Sequence, residues 1–253
     1  MMLDSWLSLP AGILIATTVS TVGIGGGILW MPFLVIILRC RPDTAVVTSL
    51  LIQTAGMGSG TVAFWRMRRI DFRLTRFLLL LAVPGIGLGS MMTHAMAPDH
   101  LELILGLLTL VTAIVFVAAS DRYRGSGRQK AEIKVGRRYG WMISAMAVAS
   151  GMLSISIGEW LVPLLRSRLS LTMNAAVATS VATIFGACVL GSGAHLLQGG
   201  QADWPALFWA VPGVLLGGQI GPRIAGRIND RVLKEIFIFL LTLIGIHLIY
   251  NSY

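Results

Sequence analysis

The chain has 253 residues, 55% of them hydrophobic and only 12% charged, with a mean hydropathy of +0.79. A soluble domain carries about 25% charged residues, so this composition excludes a soluble enzyme, a disulfide scaffold and a nucleic-acid reader. The net charge of +9 lies in loops between apolar runs of about 18 residues or more, each able to span a bilayer, which predicts an all-α polytopic membrane protein.

In chain order the apolar segments fall at 10–38, 43–64, 72–93 and 101–119, then at 140–165, 172–195, 204–225 and 232–250. Residues 1–10 lack a positive n-region, so no cleavable signal peptide is expected. Between the two sets runs DRYRGSGRQKAEIKVGRR, residues 121–138, with seven Lys/Arg. This divides the chain into a first transmembrane repeat (1–120), a basic linker expected in the cytoplasm (121–138) and a second repeat (139–253). Cys40 and Cys188 sit at or inside apolar segments and read as buried thiols.

The two halves are related in sequence. GIGGGILWMP at 23–32 lies over SISIGEWLVP at 154–163, an offset of 131 that pairs Gly27 with Gly158 and Pro32 with Pro163. The same offset places AVVTSL (45–50) over AVATSV (176–181). AVPG recurs at 82–85 and 210–213, with the offset reduced to 128. Three matches in order predict an internal duplication.

Charge sets the expected topology. If all eight segments cross simply, 12 Lys/Arg face one side and 8 the other. If the first segment of each repeat enters and turns back, the split becomes 18 to 2, a far better positive-inside pattern. The expected fold is therefore two inverted repeats, each a broken re-entrant helix plus three transmembrane helices; eight simple helices are the alternative. Glycines followed by a proline suit a discontinuous helix whose unwound backbone lines a cavity.

The candidate substrate-binding residues cluster at these breaks. Gly25, Gly26 and Gly27 let the backbone approach a ligand, and a half-helix from Ile28 would aim N–H groups and its dipole at an anion. Close helix packing would use the same glycines. Ser156 and Gly158 hold the matching place in the second half. Thr48, Ser49, Thr179 and Ser180 are hydroxyl pairs at equivalent positions, suited to an oxyanion or to backbone carbonyls. Gln53, Asn174 and Gln219 are further polar side chains in apolar segments.

Glu159 is singled out by elimination, since the other ten acidic residues fall in loops or at segment ends. An intramembrane carboxylate points to function: a proton-coupling group or a gate, with a helix N-cap as the structural alternative. His195 and His247 stand apart without a second ligand, so neither a metal nor a cofactor is expected. Trp30 and Trp160 flank the breaks, and Met91, Met92 and Met96 read as interfacial filling. Gly213, Gly217 and Gly221, at four-residue spacing, suit packing within the chain or between subunits, leaving the oligomeric state open. No Lys or Arg lies in mid-segment, so an anion would depend on backbone amides, helix N-termini and hydroxyls.

At GIGGGILWMP, AVVTSL, AVATSV and the variant SISIGEWLVP the chain resembles the TauE/SafE family, the sulfite and organosulfonate exporters also called the toluene-sulfonate uptake permease family. The resemblance implies a multi-pass bacterial cell-membrane (inner-membrane) transporter of sulfite, sulfoacetate or related sulfur-containing anions. The second motif departs from the family pattern at Ser154 and Ser156, where glycines are commoner, and at Glu159. The expected function is thus a secondary transporter, an exporter by the family's name, of a small anion, with protons as a candidate second partner. A passive anion channel is the alternative. A lipid-phosphate enzyme would need clustered carboxylates, histidines or arginines, which the sequence does not supply, so no enzyme is expected.

Overall fold

The computed structural model describes residues 5–96, 137–154, 158–167 and 171–225, with single positions at 100, 104, 107 and 169. All described elements are helical: a 3₁₀ turn Ser5–Leu7, α1 (Ser8–Val22), α2 (Gly27–Pro32) continued by a π turn Phe33–Ile37, α3 (Pro42–Arg66), α4 (Phe72–Ala95), α5 (Arg137–Leu153), α6 (Gly158–Ser167), α7 (Met173–Leu197) and α8 (Trp204–Ile224). Among the described residues, four helical stretches are long and apolar enough to cross a membrane: Ser5–Val22, Pro42–Arg66, Phe72–Ala95 and Met173–Leu197. The expected segments 101–119 and 232–250, and linker residues 121–136, lie outside the described residues; Arg137 and Arg138 open α5.

The helices start where local chemistry directs. Pro42 occupies the first turn of α3, where its missing N–H costs nothing, and Asp43 follows at the positive end of the dipole. Asp71, Thr172 and Asp203 cap α4, α7 and α8 by accepting the N–H groups of Leu74 (3.1 Å), Ala175 (3.3 Å) and Ala206 (3.0 Å). Apolar residues cover the outside as well as the core, with Leu14 and Leu80 among the exposed ones. Small and hydroxyl residues are buried instead: Thr48, Ser49, Thr179 and Ser180 are fully enclosed. Membrane bundles pack this way because small residues and hydroxyls let helices approach and hydrogen-bond.

Contacts between the halves are reciprocal. On α3 and α7, Gly60 meets Val181 and Gly191 meets Leu50, and each pair is the other shifted by 131 residues. Early residues of α3 thus meet late residues of α7, so the two helices are antiparallel. Gly85 of α4 lies against Ser144, Ala147 and Val148 of α5; Gly217 of α8 lies against Ile13, Ala16 and Thr17 of α1. Gly89 and Gly221 repeat the contact one turn on. In both cases rising numbers meet rising numbers, so α1 runs parallel to α8, and α5 parallel to α4. Similarly, α3 runs with α8 (Thr48 to Asp203, Ser59 to Leu215) and α7 with α4 (Thr179 to Asp71, Gly186 to Leu79).

One sequence expectation changes here, and one open alternative is decided. The packing equates Gly85 with Gly217 and Asp71 with Asp203, an offset of 132 rather than the 128 of the AVPG match. The difference is four residues, about one helical turn, so the identical AVPG stretches occupy the same face at different depths. Gly213, Gly217 and Gly221 all pack on α1 within the chain. Cys40 and Cys188 are buried free thiols, as expected.

Candidate substrate site at the crossing of two helix breaks

The first break begins where α1 ends. Gly23 takes a left-handed conformation (φ 80°) that closes the helix, its N–H donating to Val19 O at 2.8 Å. Glycine suits it twice over, because L side chains disfavour that φ and a Cβ there would lie 2.8 Å from Val177 Cα. The Gly23 carbonyl accepts the Ser180 hydroxyl at 2.6 Å. Residues 23–28 are all buried. Gly26 precedes α2 with no side-chain cap, and its carbonyl accepts from Leu29 and Trp30. The N–H groups of Gly25, Gly26, Gly27 and Ile28 have no hydrogen-bond partner among the described residues. Buried backbone amides are rarely left so.

The second break follows α5, with Ser154 at the place of Gly23. It holds φ 59° despite its side chain, a conformation that costs an L residue about 1–2 kcal/mol. Side-chain bonds hold it there. Ser154 Oγ donates to Ser49 Oγ (3.0 Å), and the Gln53 amide nitrogen reaches Ser154 Oγ (2.7 Å), Ser154 O (3.2 Å) and Ser49 Oγ (3.2 Å). The end carbonyls of α5 are also covered: Gly151 O by His195 Nε2 (2.7 Å) and Met152 O by Thr93 Oγ1 (2.7 Å). His195 is therefore structural, tying α7 to the end of α5.

The breaks cross in contact. Gly27 packs directly on the Ser154 carbonyl, with no room for a Cβ. Reciprocally, Gly158 packs against Ile184, and its Cβ would lie 3.1 Å from Gly23 O. Beyond the crossing the two halves carry the same bond, Cys40 N–H donating to Leu34 O (2.9 Å) and Leu171 N–H to Leu165 O (3.3 Å).

Of the residues expected from sequence, Gly26, Gly27, Gly158, Ser49 and Ser180 meet at this crossing, and Gly25 is buried within the first break. Thr48 and Thr179 go elsewhere. Their hydroxyls accept the N–H of Asp203 (2.9 Å) and Asp71 (3.2 Å), bracing the starts of α8 and α4. Ser156 and the side chains of Glu159 and Trp160 lie outside the described residues; α6 starts at Gly158, so Glu159 falls in its first turn. Trp30 is buried, edge-on to Phe33 at 5.5 Å. Gln219 bonds Ser59 O (2.8 Å) between helices, and Asn174 is exposed. Sequence reasoning gave Ser154 no role and Gln53 a minor one. The signal was present in the 131 offset, which sets Ser154 over a glycine needing positive φ.

The model of the sulfite exporter TauE/SafE family matches residues 8–248. The chain belongs to the TauE/SafE family. Curated relatives agree in length and kind. "Probable membrane transporter protein YunE" of Bacillus subtilis is 24% identical over 95% of this chain and 96% of its own. "Probable membrane transporter protein YjnA" of the same organism is 26% identical, covering 90% and 94%. A "Probable membrane transporter protein" of Xylella fastidiosa is 22% identical, covering 98% and 95%. No solved structure gives a significant match. The protein is a TauE/SafE-family membrane transporter, and the crossing is its candidate substrate site.

Proposed function

We propose that this TauE/SafE transporter exports small sulfur-containing oxyanions, sulfite or organosulfonates, across the bacterial inner membrane through the crossing of the two breaks. Gly25, Gly26, Gly27, Ser49, Gly158 and Ser180 form the described part of the anion site. The observation that carries this reading is the run of buried, unpartnered N–H groups at Gly25–Ile28, in a crossing whose described side chains carry no charge. Such a site holds an oxyanion by dipoles and releases it readily, as transport requires.

The architecture we infer is a pair of inverted repeats. The antiparallel α3 and α7 and the reciprocal contacts support the inversion. The first and second long helices of each half run the same way, so the segment between them must bring the chain back, which supports a re-entrant first element. The charge pattern then puts the linker 121–138 in the cytoplasm. Alternating access would rock one half against the other around the crossing.

Glu159 takes the role of proton-coupling group, at the start of the half-helix that faces the first break. Flux in proteoliposomes tests the whole reading, using sulfite, sulfate, thiosulfate, sulfoacetate and non-sulfur carboxylates with and without an imposed pH gradient. Saturable movement of a sulfur anion that follows the gradient is the expected result. No movement of any sulfur anion by folded protein overturns it.

A further inference from the structure

Gln53 is 2% exposed and lies at the crossing, a Cβ on Gly27 falling 3.1 Å from its amide nitrogen and one on Gly26 3.4 Å from its Cγ. Its nitrogen is committed to Ser154 and Ser49. Its oxygen Oε1 is buried and has no hydrogen-bond partner among the described residues. The orientation of the amide is fixed by chemistry. The atom 3.2 Å from the Ser154 carbonyl must be a donor, because two carbonyl oxygens would repel. The free atom is therefore an acceptor.

The matching residue of the second half is Ile184, which packs on Gly158 as Gln53 packs on Gly27. A hydrocarbon fills that place in one half, so close packing of the break does not require an amide. An unsatisfied buried acceptor is costly, and the cost is relieved when a ligand supplies a hydrogen.

Resting on the transport reading above, we propose that Gln53 is a specificity-determining residue that selects oxyanions carrying a hydrogen-bond donor of their own. The unpartnered N–H groups of the first break hold the anionic oxygens, and Gln53 Oε1 accepts the O–H or N–H of the same ligand. The favoured class is hydrogen sulfite and hydroxyl- or amino-bearing sulfonates. Donor-free sulfonates and fully deprotonated dianions leave Oε1 unpaired and are disfavoured.

The test uses the full-length protein in detergent and in proteoliposomes. The probes are 2-hydroxyethanesulfonate and propane-1-sulfonate, which have similar shape and equal charge but differ by a hydroxyl in place of a methyl. The expected result is a preference of about tenfold or more for the hydroxyl compound, in ligand-induced thermal stabilisation and in competition with sulfite flux. Gln53→Ile, which installs the second half's residue, should bring that ratio to about one. Equal potency of the two compounds on the wild-type protein, with sulfite flux intact, overturns the role of Gln53 and leaves the transport reading standing. Failure of every sulfur anion to bind or move overturns both. A ratio in Gln53→Ile equal to the wild type's assigns the preference elsewhere and overturns the proposal.

Discussion

The two breaks occupy equivalent places and are held by different means. The first is a run of glycines that takes its left-handed turn without strain, and its amides at 25–28 have no partner among the described residues. The second carries Ser154 in the same conformation, fixed by Ser49 and Gln53, while His195 and Thr93 cover neighbouring carbonyls. Among the described residues, the first break keeps a run of backbone amides available, whereas Ser154 and the end carbonyls of α5 are bonded. The two breaks are thereby unlike at their described residues: Ser49, Gln53 and Thr93 of the first half and His195 of the second brace the end of α5, while the glycine run after α1 has no such side-chain bracing of its amides.

The largest effect should come from crowding the crossing unequally. Gly27→Ala would drive a Cβ into the Ser154 carbonyl, whereas Gly158→Ala meets mainly the flexible end of Ile184. Overpacking costs about 1–3 kcal/mol, more against rigid backbone, so Gly27→Ala should lower Tm far more than Gly158→Ala. Equal losses would mean that the breaks are not differently braced. Next comes coupling. Glu159→Gln should abolish proton-driven flux while preserving exchange; unchanged driven flux in folded protein would leave Glu159 as a first-turn charge only.

A milder pair probes the turn itself. Gly23→Ala should destabilise by about 1–2 kcal/mol from the left-handed φ, before its clash with Val177 is added. Ser154→Gly relieves that same strain but loses two hydroxyl bonds of about 1 kcal/mol each, so its net change in chemical denaturation should be small. A Ser154→Gly loss as large as that of Gly23→Ala would show the serine bonds to outweigh the strain. The smallest effect is outside the crossing. Burial first, and the adjacent Asp203 carboxylate next, push the Cys40 thiol up to about 12. Cys40 should therefore remain protonated and resist maleimide at pH 8, and its reactivity should rise only in strong alkali. Rapid labelling of folded protein would contradict the Cys40 to Asp203 contact at 3.3 Å.

Much of this was legible in the sequence. The family motifs, the offset of 131 and the glycine-proline breaks are local patterns, and each landed on the element expected. The third helix of each half was misaligned, because AVPG is an identity one turn away from the true register and the two registers share a helix face. Thr48 and Thr179 were paired correctly in the duplication, yet their hydroxyls brace α8 and α4, since a hydroxyl's partner depends on what stands opposite. Ser154 and Gln53 were underrated for the same reason.

The sequence by itself determined membrane character, family and the position of both breaks, because hydropathy, glycine and proline act through the local chain. Tertiary structure alone decided which polar groups are spent and which stay free. A backbone amide, a serine or a glutamine looks the same in sequence whether it is bonded or not, and only the crossing of the chain with itself distributes the partners.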